Sequence, residues 1–116
     1  MEKTSDTKIW CLCKQGGNDL IGICGVLKND KKEDEIAYRI LETCWGKGYG
    51  TEITKGLIDF CFSHMGSKFI TADVCVDNLR SIKILNKFFT IQKEFFNPDD
   101  NCMDRRYCLK KENWVQ

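Results

Sequence analysis

The stretch Cys44-Trp45-Gly46-Lys47-Gly48-Tyr49-Gly50-Thr51-Glu52 decides how the rest of the sequence is interpreted. It joins an apolar run, residues 35–41, to an amphipathic run, residues 51–65, so we predict a strand, a glycine loop and a helix. Glycines at alternate positions let the backbone turn and approach a ligand closely. The first N–H groups of a helix lack intrahelical partners and carry partial positive charge, which favours a bound anion, most often phosphate. Lys47 adds a positive charge within the loop.

Two familiar phosphate-binding loops do not fit this stretch. The P-loop requires serine or threonine after its lysine, but Lys47 is followed by Gly48. The dinucleotide-binding fingerprint requires a third glycine at the position of Thr51. The alternative is that the glycines only form a turn, and the spacing of the residues leaves both interpretations open.

Composition narrows the class of protein. The chain has 116 residues, enough for one domain, residues 1–116. Its hydrophobic content of 42% and charged content of 30% are typical of a soluble globular domain. A net charge of +1 provides no overall field for nucleic acid or anionic membranes. No apolar run approaches the roughly 20 residues of a membrane helix, and residues 1–6 lack a signal core. We therefore expect a cytoplasmic protein without nucleic-acid or membrane partners.

The sequence contains eight cysteines: Cys11, Cys13, Cys24, Cys44, Cys61, Cys75, Cys102 and Cys108. Most lie within apolar runs and no secretory signal precedes them, so we expect buried or half-buried free thiols. Cys44 is the exception, because its position beside the glycine loop suggests an exposed and reactive thiol. No Cys-x2-Cys pair exists and His64 is the only histidine, so we expect no metal site.

Hydrophobic periodicity predicts the order β-β-β-α-β-α-β-β. The predicted strands cover residues 9–14, 20–28, 35–41, 69–76, 91–96 and 103–110, and the predicted helices cover residues 51–65 and 79–88. The third and fourth strands flank a helix, so they should be parallel neighbours, whereas the first two should form an antiparallel hairpin. This predicts an α+β fold with a mixed sheet, in which a ligand binds at the carboxyl end of the third strand.

Four stretches of this pattern resemble the GNAT superfamily of acyl-CoA-dependent N-acetyltransferases, and within it the Rim-type ribosomal-protein N-terminal acetyltransferases. They are Glu35-Ile36-Ala37-Tyr38-Arg39-Ile40, Trp45-Gly46-Lys47-Gly48-Tyr49-Gly50-Thr51-Glu52, Asn78-x-x-Ser81 with Ile84-Leu85-Asn86-Lys87, and Asp104-x-x-Tyr107-x-Leu109 with Trp114. The octapeptide loop carries the strongest part of the resemblance, which covers roughly residues 20–114.

The resemblance implies a GNAT-like fold that binds acetyl-CoA as cosubstrate between the third and fourth strands. The pyrophosphate would lie on loop N–H groups, the pantetheine would follow the end of the third strand, and two side chains of the second helix would face the pantetheine or thioester. The implied cofactor-binding residues are Ile40, Leu41, Trp45, Gly46, Lys47, Gly48, Tyr49, Gly50, Thr51, Asn78 and Ser81.

Transfer of an acetyl group requires a neutral amine, although an α-amino group has a pKa of about 7.7–8.0 and lysine one of about 10.4. A carboxylate is the usual aid, and the candidates beside the third strand are Glu42, which we prefer, Glu35 and Asp34. Alternatively, each of these three carboxylates is a solvated charge on the surface without a catalytic role. A backbone N–H near Ile40 or Leu41 is the candidate oxyanion donor.

The leaving thiolate requires a proton donor. Many superfamily members use a tyrosine of the second helix, but this sequence has Leu85 at that position. Ser81 is the remaining candidate acid. Alternatively, its hydroxyl forms a hydrogen bond with the backbone at the start of the helix. Tyr38 is expected to pack.

The sequence also departs from the family pattern. The usual Lys-Leu-Gly-Phe ending of the second helix is Lys87-Phe88-Phe89-Thr90, so the following turn could be altered. The usual first strand and first two helices are not found before the hairpin, so we expect a fragment, a shortened relative or a protein completed by dimerisation. An uncovered sheet edge would provide the contact for a homodimer.

Two functional hypotheses follow. The first is an N-acetyltransferase that acts on a primary amine, either a protein N-terminus or a small molecule. The second is a non-catalytic acyl-CoA-binding module that has lost the acceptor half.

Overall fold

A computed structural model describes residues 7–114, which form a six-stranded sheet and two α-helices. The strands are β1 (Lys8–Cys13), β2 (Leu20–Lys28), β3 (Asp34–Ile40), β4 (Phe69–Cys75), β5 (Thr90–Asn97) and β6 (Cys102–Lys110). The helices are α1 (Tyr49–Ser63) and α2 (Leu79–Phe88), and 3-10 turns occupy Glu42–Cys44 and Lys111–Asn113. The predicted order of elements is confirmed. Neither α-helix of the described chain has the length and apolar character needed to span a membrane.

The sheet has the order β1-β2-β3-β4-β6-β5. As predicted, β1 and β2 form an antiparallel hairpin, and β3 and β4 are parallel. Their described ladder consists of the pair Glu35 and Thr71, near the beginning of both strands. The two strands therefore separate toward their carboxyl ends, which opens a cleft there. Strands β1 and β5 are the two edges, and the dimer contact expected at an edge stays a prediction.

Both helices pack on one face of the sheet, and the core lies between them and the central strands. Fully buried side chains come from β2, α1, β4 and β6: Val26, Ile58, Cys61, Ile70 and Tyr107. Ile36 of β3 faces this core, and Glu35 alternates to the other face because successive strand residues point in opposite directions.

Helix α1 begins two residues before the predicted start at Thr51, so that Gly50 lies within its first turn. Glycine is a poor helix former, which favoured assigning it to the loop. Its presence in the helix has a packing reason, because a Cβ on Gly50 would lie 2.7 Å from Ile84 Cδ1. A close approach also explains Gly22 in β2, where a Cβ would meet the backbone of Arg39.

The cysteines correct three expectations. Cys75 at the end of β4 and Cys102 at the beginning of β6 form a disulfide, with Cα atoms 6.2 Å apart, so these two are not free thiols. Cys44 is buried rather than exposed, because the 3-10 turn held by its N–H and Leu41 O places it on the inner side. Cys24 and Cys61 are buried free thiols as expected, and burial raises the pKa of Cys61 to about 12. Cys11 and Cys13 are exposed free thiols, contrary to the expectation of burial.

Candidate functional site

A cavity of about 500 Å³ lies at the carboxyl end of β3, between the first turns of α1 and α2. It occupies the place where the sheet order predicts a ligand, beside the separation of β3 and β4. The residues that line it are Tyr38, Arg39, Ile40, Cys44, Trp45, Gly46, Gly48, Tyr49, Gly50, Thr51, Asn78, Arg80, Ser81, Lys83 and Ile84.

The glycine loop forms one wall of the cavity. Gly46 and Gly48 adopt left-handed conformations, with φ of 80° and 84°, which favour glycine. The space beside both Cα atoms is open, since a Cβ at either would meet no atom within 4 Å. Gly48 is the N-cap of α1, and no side chain there accepts a hydrogen bond from the helix N–H groups. The first turn of α1 therefore keeps donors and partial positive charge for an anion.

The first turn of α2 forms the opposite wall. Asn78 caps this helix, since its Oδ1 accepts a hydrogen bond from the Ser81 N–H at 3.2 Å. Arg80 reaches across the cavity mouth, and its Cζ lies 4.2 Å from the centroid of the Trp45 ring, within the range of a cation–π contact. The Trp45 indole N–H donates to Ile40 O at 3.0 Å, which fixes the ring against the end of β3.

The cavity is basic. The charged residues that line it are Arg39, Arg80 and Lys83, and no acidic residue of the described chain lines it. The first turn of α2 also contains no acidic residue, although an acidic residue would be favoured there by the helix dipole. No acidic residue lining the cavity neutralises this positive charge within the described chain.

Nine of the eleven predicted cofactor-binding residues line this cavity. The two others are Leu41 and Lys47, which lie exposed beside it. The Leu41 N–H donates to Ile21 O at 2.8 Å, so this N–H is already used and is a poor oxyanion donor. Arg80 and Lys83 were not among the predicted residues, although Arg80 lies three residues before Lys83 and four before Ile84, a spacing that places helix residues on one face.

The three predicted carboxylates differ in their surroundings. Glu42 lies in the exposed 3-10 turn and does not line the cavity. Burial acts to raise the pKa of Asp34, but hydrogen bonds from Lys28 and Ser67 outweigh it, and the pKa is lowered. Glu35 behaves differently, because burial and then the nearby Asp73 raise its pKa to about 7.

Glu35 belongs to a buried charge cluster on the face of the sheet opposite the helices. Arg106 donates to both carboxylate oxygens of Asp73, at 2.7 and 2.9 Å, and its Nη1 lies 2.9 Å from Asp30 Oδ1. The Arg106 charge lowers the pKa of Glu35, but burial and the carboxylates of Asp73, Asp30 and Asp104 outweigh it. Glu35 is also the β3 residue paired with β4, so it lies where the separation of these strands begins.

Comparison with known proteins identifies the family. A model of the acetyltransferase (GNAT) domain matches residues 1–88, which is more than half of the chain. The chain belongs to the GNAT acetyltransferase domain family. Its sequence is 35% identical over 79 residues to the uncharacterized N-acetyltransferase p20 of Bacillus licheniformis, covering 66% of this chain and 44% of that protein. It is 31% identical over 87 residues to the uncharacterized N-acetyltransferase YoaA of Bacillus subtilis, covering 73% and 49%. The chain thus spans about half the length of these GNAT relatives.

Solved structures agree on the GNAT fold. A variant of spermidine N-acetyltransferase from Vibrio cholerae superposes with a TM-score of 0.80 at 14% identity, covering 95% of this chain and 69% of that one. A GNAT-family acetyltransferase from Bacillus anthracis gives a TM-score of 0.79 at 20% identity, covering 90% and 67%. At these identities the likeness concerns the fold alone.

Proposed function

We propose that this protein binds acetyl-CoA in the cavity and transfers the acetyl group to a primary amine in a ternary complex. The observation that carries the proposal is the glycine loop, whose left-handed glycines and uncapped helix start face a cavity lined only by basic charges. Coenzyme A carries a pyrophosphate and a further phosphate, so its charge complements this lining.

In the proposed reaction the amine nitrogen attacks the thioester carbonyl, the C–S bond breaks, and the electron pair leaves with sulfur. Neither Glu42 nor Glu35 is placed to act as the base, because Glu42 lies outside the cavity and Glu35, despite a pKa of about 7, lies near the beginning of β3 on the face of the sheet opposite the helices. The amine reacts in its neutral form and its proton passes to water, because no acidic residue of the described chain lines the cavity. Ser81, which lines the cavity, is the proposed donor to the thiolate.

The acceptor belongs to one of two chemical classes. The resemblance of the loop and second helix to the Rim-type branch favours a protein N-terminus. The spermidine N-acetyltransferases among the structural neighbours favour a polyamine, and the carboxylates around Glu35 would attract such a cation. A cytoplasmic location would supply either acceptor together with acetyl-CoA.

The second candidate function is an acyl-CoA-binding module without transferase activity. It is favoured by the lining of the cavity, which includes no carboxylate of the described chain that could act as a base. Both functions require acetyl-CoA binding, and only the first requires release of free CoA that depends on an amine.

Isothermal titration with acetyl-CoA tests the cavity, and a Gly48→Glu variant provides the decisive comparison. The new side chain adds bulk and negative charge to the cradle, so micromolar binding by the wild type should fall at least about 100-fold. Gly66→Glu is the matched control. Gly66 follows the other end of α1, has a φ of 72° and also has open space beside its Cα, so the backbone strain is comparable.

Equal loss of binding in both variants would attribute the effect to strain rather than to the cradle. If folded wild-type protein does not bind acetyl-CoA, both candidate functions are wrong. Where binding is found, a thiol-release assay with an N-terminal peptide and with spermidine separates the enzyme from the binding module.

A further inference from the structure

The Cys75–Cys102 disulfide lies at the end of β4, where the chain leaves the sheet toward the cavity. Both of its cysteines are only partly buried, whereas the free thiols of Cys24, Cys44 and Cys61 are buried. A soluble thiol can therefore reach the disulfide. Accessible disulfides of this kind are the ones that undergo thiol–disulfide exchange.

The end of β4 is fixed by β6 rather than by β3. The described pairing of β4 with β3 is confined to Thr71, near the beginning of the strand, whereas its pairing with β6 continues as far as Cys75 and Asp104. The Val76 N–H extends this contact by donating to Met103 O at 2.9 Å. The disulfide adds a covalent link on the same side of the strand.

A tight turn connects this covalent link to one wall of the cavity. The Asn78 N–H donates to Cys75 O at 2.9 Å, and the Asn78 Oδ1 accepts from the Ser81 N–H at the start of α2. Asn78, Arg80 and Ser81 all line the cavity. Since the disulfide lies only three residues before Asn78, it limits how far the first turn of α2 can move relative to β6.

We propose that Cys75 and Cys102 form a thiol–disulfide exchange site that controls the affinity for acetyl-CoA. This inference rests on the proposed function. In the disulfide form, the first turn of α2 is held in place before the ligand arrives, so binding does not bear the cost of ordering it.

A dithiol reductant removes this restraint. Its thiolate attacks one sulfur, the S–S bond breaks, and its second thiolate then displaces the other cysteine from the mixed disulfide. Both cysteines end as thiols that carry the two protons of the reductant, and the reductant ends as a disulfide.

Isothermal titration of the wild type with acetyl-CoA, before and after reduction with dithiothreitol and its removal by desalting, tests the inference. A thiol count in denaturant identifies the two forms, because eight cysteines minus the two in the disulfide leave six free thiols, against eight after reduction. Reduction should weaken acetyl-CoA binding roughly fivefold and lower the melting temperature by roughly 10 °C. Reoxidation with oxidised glutathione should restore both values.

A Cys75→Ser variant should bind acetyl-CoA with the affinity of the reduced wild type, with or without treatment by the reductant. The matched control is the double variant Cys11→Ser and Cys13→Ser, which removes two exposed free thiols of β1 and should keep the full response. If reduction still changes the affinity of Cys75→Ser, another thiol is responsible and the inference is wrong.

Two further results would overturn the inference alone. Equal affinities of the oxidised and reduced wild type, even with a lower melting temperature after reduction, would make the disulfide a structural link only. Eight thiols under oxidising conditions would mean that the bond does not form. A folded, oxidised wild type that does not bind acetyl-CoA would instead reject the proposed function, and this inference with it.

Discussion

Two charged regions of this molecule are built in opposite ways. Around the cavity, Arg80 and Lys83 line a space in which no acidic residue of the described chain takes part. On the opposite face of the sheet, Arg106 is 3% exposed and is held by the carboxylates of Asp73 and Asp30. The first region has cations without anions, and the second has more anions than cations.

The difference separates positive charge that is available to the proposed ligand from charge that is paired within the fold. Arg106 joins β6, β4 and the loop between β2 and β3, because its guanidinium reaches Asp73 and Asp30 from different parts of the chain. The remaining negative charge raises the pKa of Glu35. In the cavity, no carboxylate among residues 7–114 neutralises Arg80 in this way. Variants that change a charge in one region at a time test this difference.

The largest effect is expected from Arg106→Gln. This change leaves Asp73 half-buried without its bidentate partner, and breaking one side of a buried ion pair is strongly destabilising. The free energy of unfolding should fall by about 3 kcal/mol. Urea denaturation monitored by tryptophan fluorescence measures it.

The neighbouring Arg105 provides the control. Its ion pair with Glu94 spans 2.8 Å between groups whose side chains are 23% and 44% exposed, and surface pairs of this kind contribute little. Arg105→Gln should therefore change stability much less than Arg106→Gln. Equal losses would show that the Arg106 cluster has no special role in holding the sheet together.

A second prediction concerns the pH dependence that Glu35 gives to stability. Its pKa rises from an ordinary value of 4.5 to about 7 in the folded protein, so the folded state binds the additional proton between these values. Glu35 therefore favours the folded state fully below pH 4.5, and this contribution is lost as the pH rises through 7. The loss should be about 2 kcal/mol, allowing for solvent at a half-buried carboxyl.

Glu35→Gln should remove this dependence and make the protein more stable than the wild type at pH 8. The comparison uses the free energy of unfolding at pH 5 and pH 8, with Glu42→Gln as the exposed control that should retain the wild-type profile. A Glu35→Gln protein that loses as much stability between these pH values as the wild type would contradict the prediction.

The two regions also differ in how far they could be predicted from the sequence. Alternating and helical periodicity located the six strands and two α-helices of the described chain, and the glycine loop located the cavity, because these signals are local in the chain. The Arg106 cluster could not be found this way, since Asp73 and Arg106 are 33 residues apart and meet only through the register of β4 and β6.

The disulfide also joins residues that are distant in the chain, so local sequence signals could not predict it. Cys75 and Cys102 are separated by 27 residues, and their pairing depends on how β4 and β6 align. Burial of Cys44 depends on a single 3-10 turn whose hydrogen bonds leave no clear pattern in the sequence. Apolar neighbours alone suggested free thiols, and this inference failed where a strand end brought two of them together.

The smallest effect is expected at the cavity mouth. Arg80 lies over Trp45 with no carboxylate partner in the described chain, so Arg80→Gln removes positive charge from the proposed phosphate site without disturbing an ion pair. Affinity for acetyl-CoA should fall roughly fivefold at low salt, and the decline of affinity with added salt should become shallower, because one charge contact is lost. Isothermal titration with acetyl-CoA at several salt concentrations measures both effects.

Lys87 is the matched control, because it is an exposed cation in the last turn of the same helix and does not line the cavity. Lys87→Gln changes the net charge by the same amount, so a general effect of charge would weaken binding equally in both variants. We expect weakening and the shallower salt dependence only for Arg80→Gln. Identical behaviour would mean that the basic lining acts through its overall field, and that the contact between Arg80 and Trp45 does not place a phosphate.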